Sequence, residues 1–111
     1  MKKQFLFSLI LMITLFSTNM FAADTYTKTS FLVPGNCDMC KSRIEKAAKT
    51  EGVKGVLWNE ETHVLTVAFV PTKISVEQIQ QNISKAGYDT PKFKADSTAY
   101  EKLPKCCQYT K

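Results

Sequence analysis

The sequence predicts an α+β fold. It is a β-α-β-β-α-β, ferredoxin-like sandwich, with a four-stranded antiparallel sheet and two helices on one face. Three observations lead there. The runs Thr25–Val33 and Val64–Val70 alternate apolar and polar residues, the signature of a half-buried strand. The runs 40–50 and 75–86 place apolar residues at helical spacing instead. Turn residues separate these runs, and short connections with right-handed crossovers fold that order into a split β-α-β sandwich.

Taken in order, Thr27, Thr29, Phe31 and Val33 share one face of the first strand. Pro34-Gly35 turns the chain, and Asn36 or Asp38 is expected to cap the helix that follows. From Cys40 to Thr50, Ile44, Ala47 and Ala48 form the apolar stripe, while Lys41, Arg43, Glu45, Lys46 and Lys49 face water. Gly52 ends the helix. Val53–Trp58 is the second strand, Asn59–Thr62 a polar hairpin turn, and Val64–Val70 the third strand. Ser75 with Gln78 three residues on makes a capping box for a helix whose stripe is Val76, Ile79, Ile83 and Ala86. Gly87 terminates it. Tyr88 to Lys94 is expected to form an edge strand weakened by Pro91.

The length of 111 residues fits one domain. Met1–Ala23 has the features of a secretory signal: Lys2 and Lys3, an apolar run from Phe5 to Phe16, then Ala22 and Ala23. The apolar run is too short for a stable membrane span, so no span is expected after cleavage. The expected organisation is a signal peptide at 1–23, a domain at 24–94 and a cysteine-bearing tail at 95–111, in a periplasmic or secreted protein. Removing Lys2 and Lys3 from the 15 basic residues leaves 13 against 10 acidic ones, spread without a cluster. That pattern excludes nucleic-acid binding as the expected function. A domain of this size is also too small to enclose a deep substrate pocket, and no catalytic set stands out.

The four cysteines come as Cys37-x-x-Cys40 and as the adjacent pair Cys106-Cys107. Cys37 and Cys40 lie where a strand gives way to a helix. There the helix dipole and the cations Lys41 and Arg43 are expected to lower thiol pKa. A thiolate binds soft metals and also attacks disulfides, so a metal site and a redox dithiol are the two chemical readings, with a structural disulfide as the third. A thioredoxin-like arrangement lacks its context, because a single strand precedes Cys37. A zinc finger lacks a second CxxC or paired histidines. Two cysteines on a loop suit a soft ion with two or three ligands, which favours Cu(I), then Hg(II), with Zn(II) or Cd(II) behind.

The topology brings the Cys37/Cys40 loop, the 59–62 hairpin and the Gly87-Tyr88 turn to one end, so Tyr88 and His63 should lie near the thiols. Met39 is expected to shield the site, and His63 to be an ordinary strand-end residue. A fourth strand would run away from that end and leave the tail to start at the opposite one. Cys106 comes twelve residues after Lys94, and at about 3.3–3.6 Å per residue the tail is long enough to return. Cys106 and Cys107 are therefore candidate additional metal ligands.

Cys37-x-x-Cys40 after a first strand, Gly52-Val53 before the second, and Ala86-Gly87-Tyr88 after the second helix together resemble heavy-metal-associated domains. These domains occur in copper chaperones, metal-transporting P-type ATPases and periplasmic mercuric-ion binding proteins. The resemblance covers Thr25 to Lys94 and implies that Cys37 and Cys40 are the metal ligands, with Tyr88 beside the metal. The chain departs from the pattern at Gly35, where the family commonly has a methionine that packs the loop. The resemblance implies an exported carrier that holds one soft ion and passes it on by ligand exchange, without catalytic turnover. Its expected partner is a metal-transporting ATPase or another metal-exchanging protein, and its expected state a monomer or a metal-bridged dimer. The alternative function is a thiol–disulfide oxidoreductase using the same CxxC, and a third is a disulfide-stabilised interaction module.

Overall fold

Residues 25–110 are described by the computed structural model, so the expected signal segment lies outside the described residues. Three strands form one antiparallel sheet in the order β1-β3-β2: β1 is Thr27–Leu32, β2 is Val53–Trp58 and β3 is Val64–Phe69. Thr27 pairs with Phe69 and Leu32 with Val64 across β1 and β3, and Trp58 pairs with Leu65 across β2 and β3. Because side chains alternate along a strand, this register puts Leu65, Val67 and Phe69 on the buried face.

Helix α1 is Asp38–Ala48 and helix α2 is Val76–Lys85. They contact each other, and α1 also contacts β2. Ile44 and Ala48 from α1, Ile79 and Ile83 from α2, and the inner faces of the strands form one core with Trp58 and Tyr88. The capping box of α2 is present: the Gln78 N–H donates to Ser75 Oγ at 3.1 Å, and the Ser75 N–H donates to Gln78 Oε1 at 2.9 Å. Helix α1 starts differently from expectation. Its N-cap is Cys37, with no side-chain hydrogen bond, and neither Asn36 nor Asp38 caps it.

The fourth strand is absent among the described residues. The Thr90 N–H donates to the Phe93 carbonyl at 2.8 Å, and the Phe93 N–H returns to Thr90 Oγ1 at 3.1 Å, closing a turn around Pro91 and Lys92. The Lys92 N–H reaches Gln80 Oε1 at 3.1 Å, which ties the segment to α2 rather than to β1. Pro91 offers no N–H to a ladder, so a local turn wins over an edge strand.

That change redirects the tail. The Asp96 N–H donates to the Ser84 carbonyl at 2.9 Å, so the tail begins beside the last turn of α2 and not at the far end. A six-residue helix α3, Ser97–Lys102, follows, and a 3-10 turn at Lys105–Cys107 packs on α1. Leu103, Cys107 and Tyr109 are buried. The tail is thus part of the folded body.

Candidate metal centre

The site begins with a turn that has no room for side chains. Gly35 is buried, and a Cβ there would stand 2.9 Å from Trp58 Cζ2 and 3.2 Å from Ile44 Cδ1. The Trp58 indole N–H donates to the Val33 carbonyl at 2.8 Å, which fixes the ring under the loop. Trp58 thus occupies the space that any side chain at position 35 would need. His63 stacks on the other side of the indole, ring centroids 5.7 Å apart and planes 4° apart. The hairpin arrives at the same end: the side-chain hydrogen bond of its Glu60 carboxyl with Asp38, and then the charge of Asp38, push the Glu60 pKa up.

Cys37 closes the loop and Cys40 lies in the first turn of α1, their sulfurs 3.9 Å apart. Cys37 is partly exposed and Cys40 fully buried. The Cys37 thiol has a lowered pKa, chiefly because the backbone N–H of Cys40, and then that of Met39, points at its sulfur. Lys41 and Arg43, expected to contribute, are not among the causes.

The tail supplies a third sulfur. The Sγ atoms of Cys37, Cys40 and Cys107 all lie within 4.8 Å of one another. Cys107 is fully buried, and burial, followed by the neighbouring Cys40 thiol, pushes its pKa up to about 12. Cys106 behaves differently. Its side chain is exposed and its Sγ lies 3.9 Å from Met39 Sδ, while its carbonyl oxygen turns inward, 3.9 Å from Cys37 Sγ and 4.0 Å from Cys40 Sγ. Asn36 Nδ2 donates to that same carbonyl at 3.2 Å. Met39 thus stands over Cys106, half exposed, and outside the three-sulfur group.

Tyr88 is fully buried, and its hydroxyl makes no well-aligned hydrogen bond but lies against the Cys40 and Cys107 thiols. Burial raises its pKa above the ordinary range, and the Cys40 and Cys107 thiols facing it raise it further. Tyr109 holds the tail against it. The two rings stack with centroids 5.8 Å apart, and Tyr109 Oη donates to the Gly87 carbonyl at 3.0 Å and accepts from the Asp89 N–H at 2.9 Å. The docking by Tyr109 and the inward Cys106 carbonyl were not foreseen from the sequence. The Tyr100-Tyr109 aromatic spacing in a nominally polar tail was the available signal.

The heavy-metal-associated domain family matches residues 30–89. The chain belongs to that family. Among solved structures, it is similar to the "CopZ metallochaperone" at 30% identity and a TM-score of 0.55, covering 58% of this chain and 98% of that one. It is similar to oxidized MerP from Ralstonia metallidurans CH34 at 32% identity and 0.56, covering 60% and 94%. It is also similar to the N-terminal domain of a potential copper-translocating P-type ATPase from Bacillus subtilis, in the Cu(I)-loaded state, at 32% and 0.56, covering 60% and 85%. Comparison with curated protein sequences finds no significant match. The family match includes Cys37, Cys40 and Tyr88 and stops short of Cys106 and Cys107. No helix among the described residues is long and apolar enough to cross a membrane.

Proposed function

We propose that this heavy-metal-associated domain is an exported carrier that binds one soft ion through Cys37 and Cys40 and hands it on by thiolate exchange. The observation that carries this reading is the 3.9 Å separation of the two sulfurs at a partly exposed helix N-terminus. A metal–sulfur bond of about 2.3 Å puts two linear sulfurs about 4.6 Å apart and two trigonal ones about 4.0 Å apart, so small side-chain movements admit either. Helix N–H groups that lower the Cys37 pKa also stabilise the thiolate a metal needs. Sulfur ligands and low coordination favour Cu(I), with Hg(II) next and Zn(II) or Cd(II), which prefer fuller shells, behind.

The likeness to a metallochaperone and to the N-terminal domain of a P-type ATPase supports a metal-transporting ATPase, or a similar metal-exchanging protein, as partner. The charged and apolar segment Met1–Ala23 supports export to the periplasm or medium. Function requires no turnover: an acceptor thiolate enters at the exposed Cys37 side, bonds to the ion, and displaces one protein thiolate, which takes a proton from water.

The test is transfer. The chain from Asp24 onward, loaded anaerobically with one equivalent of Cu(I), is mixed with an apo dithiol domain of a metal-transporting ATPase. Movement of the ion within seconds, faster than its release to a small chelator of equal affinity, is expected. Transfer no faster than release would contradict the carrier reading.

A further inference from the structure

We infer that the C-terminal tail is a built-in strap that supplies Cys107 as a third ligand, closing the carrier site into a buried three-sulfur centre. The inference rests on the carrier reading and adds to it a residue beyond the family-matched region.

Two independent observations point to it. The first is the sulfur geometry. Cys107 Sγ joins Cys37 and Cys40 in a group within 4.8 Å, and a trigonal centre with bonds of about 2.3 Å needs sulfurs about 4.0 Å apart. The second is the Tyr88 hydroxyl, fully buried and lying against the Cys40 and Cys107 thiols without a well-aligned hydrogen bond to either. A buried hydroxyl without an aligned acceptor costs free energy and calls for a partner, of which a bound ion's ligand is one. An anionic sulfur gives this one its acceptor.

The charge balance explains why the donors matter. When one Cu(I) enters, three S–H bonds break, three Cu–S bonds form and three protons leave to solvent. The centre then carries two net negative charges. The Tyr88 O–H, the N–H groups of Met39 and Cys40, and the positive end of α1 all face that excess.

The strap is held by contacts that do not involve the metal. Tyr109 stacks on Tyr88 and bonds to Gly87 and Asp89, and Asn36 holds the Cys106 carbonyl. These contacts pre-place Cys107, so little ordering cost falls on metal binding. Cys106, beside it in sequence, is kept outside with Met39.

The experiment is Cu K-edge X-ray absorption on the monomeric, Cu(I)-loaded chain from Asp24 onward, beside its Cys107→Ser, Cys107→Ala and Cys106→Ser forms. Three sulfur scatterers are expected in the parent and in Cys106→Ser. Two are expected in both Cys107 variants, with affinity at least tenfold lower. Tyr88→Phe should keep three sulfurs and bind more weakly by a few-fold. Two sulfurs in the parent, or three in the Cys107 variants, overturns the strap while leaving the carrier reading intact. Failure of the parent to bind Cu(I) tightly overturns the carrier reading, and the strap with it.

Discussion

Tyr109 stacks on Tyr88 with ring planes 17° apart, and this contact joins the C-terminal tail to the loop that faces the thiols. Tyr109 is 2% exposed and its hydroxyl bridges Gly87 and Asp89. Removing a buried aromatic of this kind costs about 3–5 kcal/mol, and the loss should fall on tail docking. In Tyr109→Ala, limited proteolysis should cleave after Lys102 and Lys105 while the body up to Lys94 stays intact.

Gly87 tests the same interface from the other side. Its φ is 102°, and a Cβ there would meet the Tyr100 backbone nitrogen at 2.9 Å and the Ala99 carbonyl carbon at 3.0 Å. Gly87→Ala therefore combines left-handed backbone strain of about 1 kcal/mol with displacement of α3. Chemical denaturation should show a larger loss in the full chain than in one ending at Lys94, because only the former contains α3.

Much of this was legible in the sequence. The capping box at Ser75 and Gln78, the helix end at Gly87 and the CxxC at a helix start follow from local rules that depend on few neighbours. The absent strand was not legible, because Pro91 suits a weak edge strand and a turn alike, and the Gln80 side chain on α2 that accepts from the Lys92 N–H is a tertiary contact. With a turn there in place of a strand, the tail starts beside the last turn of α2, which opens the role of Cys107. The packing of Gly35 on Trp58 likewise joins residues far apart in sequence.

Thiol reactivity should separate the four cysteines. In the metal-free chain at neutral pH, Cys37 and Cys106 are accessible while Cys40 and Cys107 are fully buried. Peptide mapping after brief iodoacetamide treatment should show the first two alkylated well before the others. With one Cu(I) bound, Cys37 should become protected and Cys106 remain reactive. Protection of Cys106 instead would put the ion elsewhere.

The pH dependence has a definite sign. In the metal-free chain Cys107 titrates near 12 rather than 9.0, and Tyr109, chiefly through burial, near 12 rather than 10.0. Above about pH 9 the unfolded chain gives up these protons while the folded one keeps them, so the folded state binds more protons and stability falls as pH rises. The stabilising contribution is fully present below that range and is lost on passing about pH 12. Denaturant midpoints should drop across this window, and Cys107→Ala should lessen the drop. A midpoint that rises would contradict the burial of both groups.

The most direct measurement is anaerobic competition for Cu(I) against a chromophoric chelator, read with Cys37→Ser/Cys40→Ser and Cys106→Ser/Cys107→Ser forms of the chain from Asp24 onward. One ion per chain is expected. Loss of the first pair should weaken binding at least a thousandfold, about 4 kcal/mol, and loss of the second pair by a smaller factor. Equal affinity in the parent and in Cys37→Ser/Cys40→Ser would contradict the account at its centre.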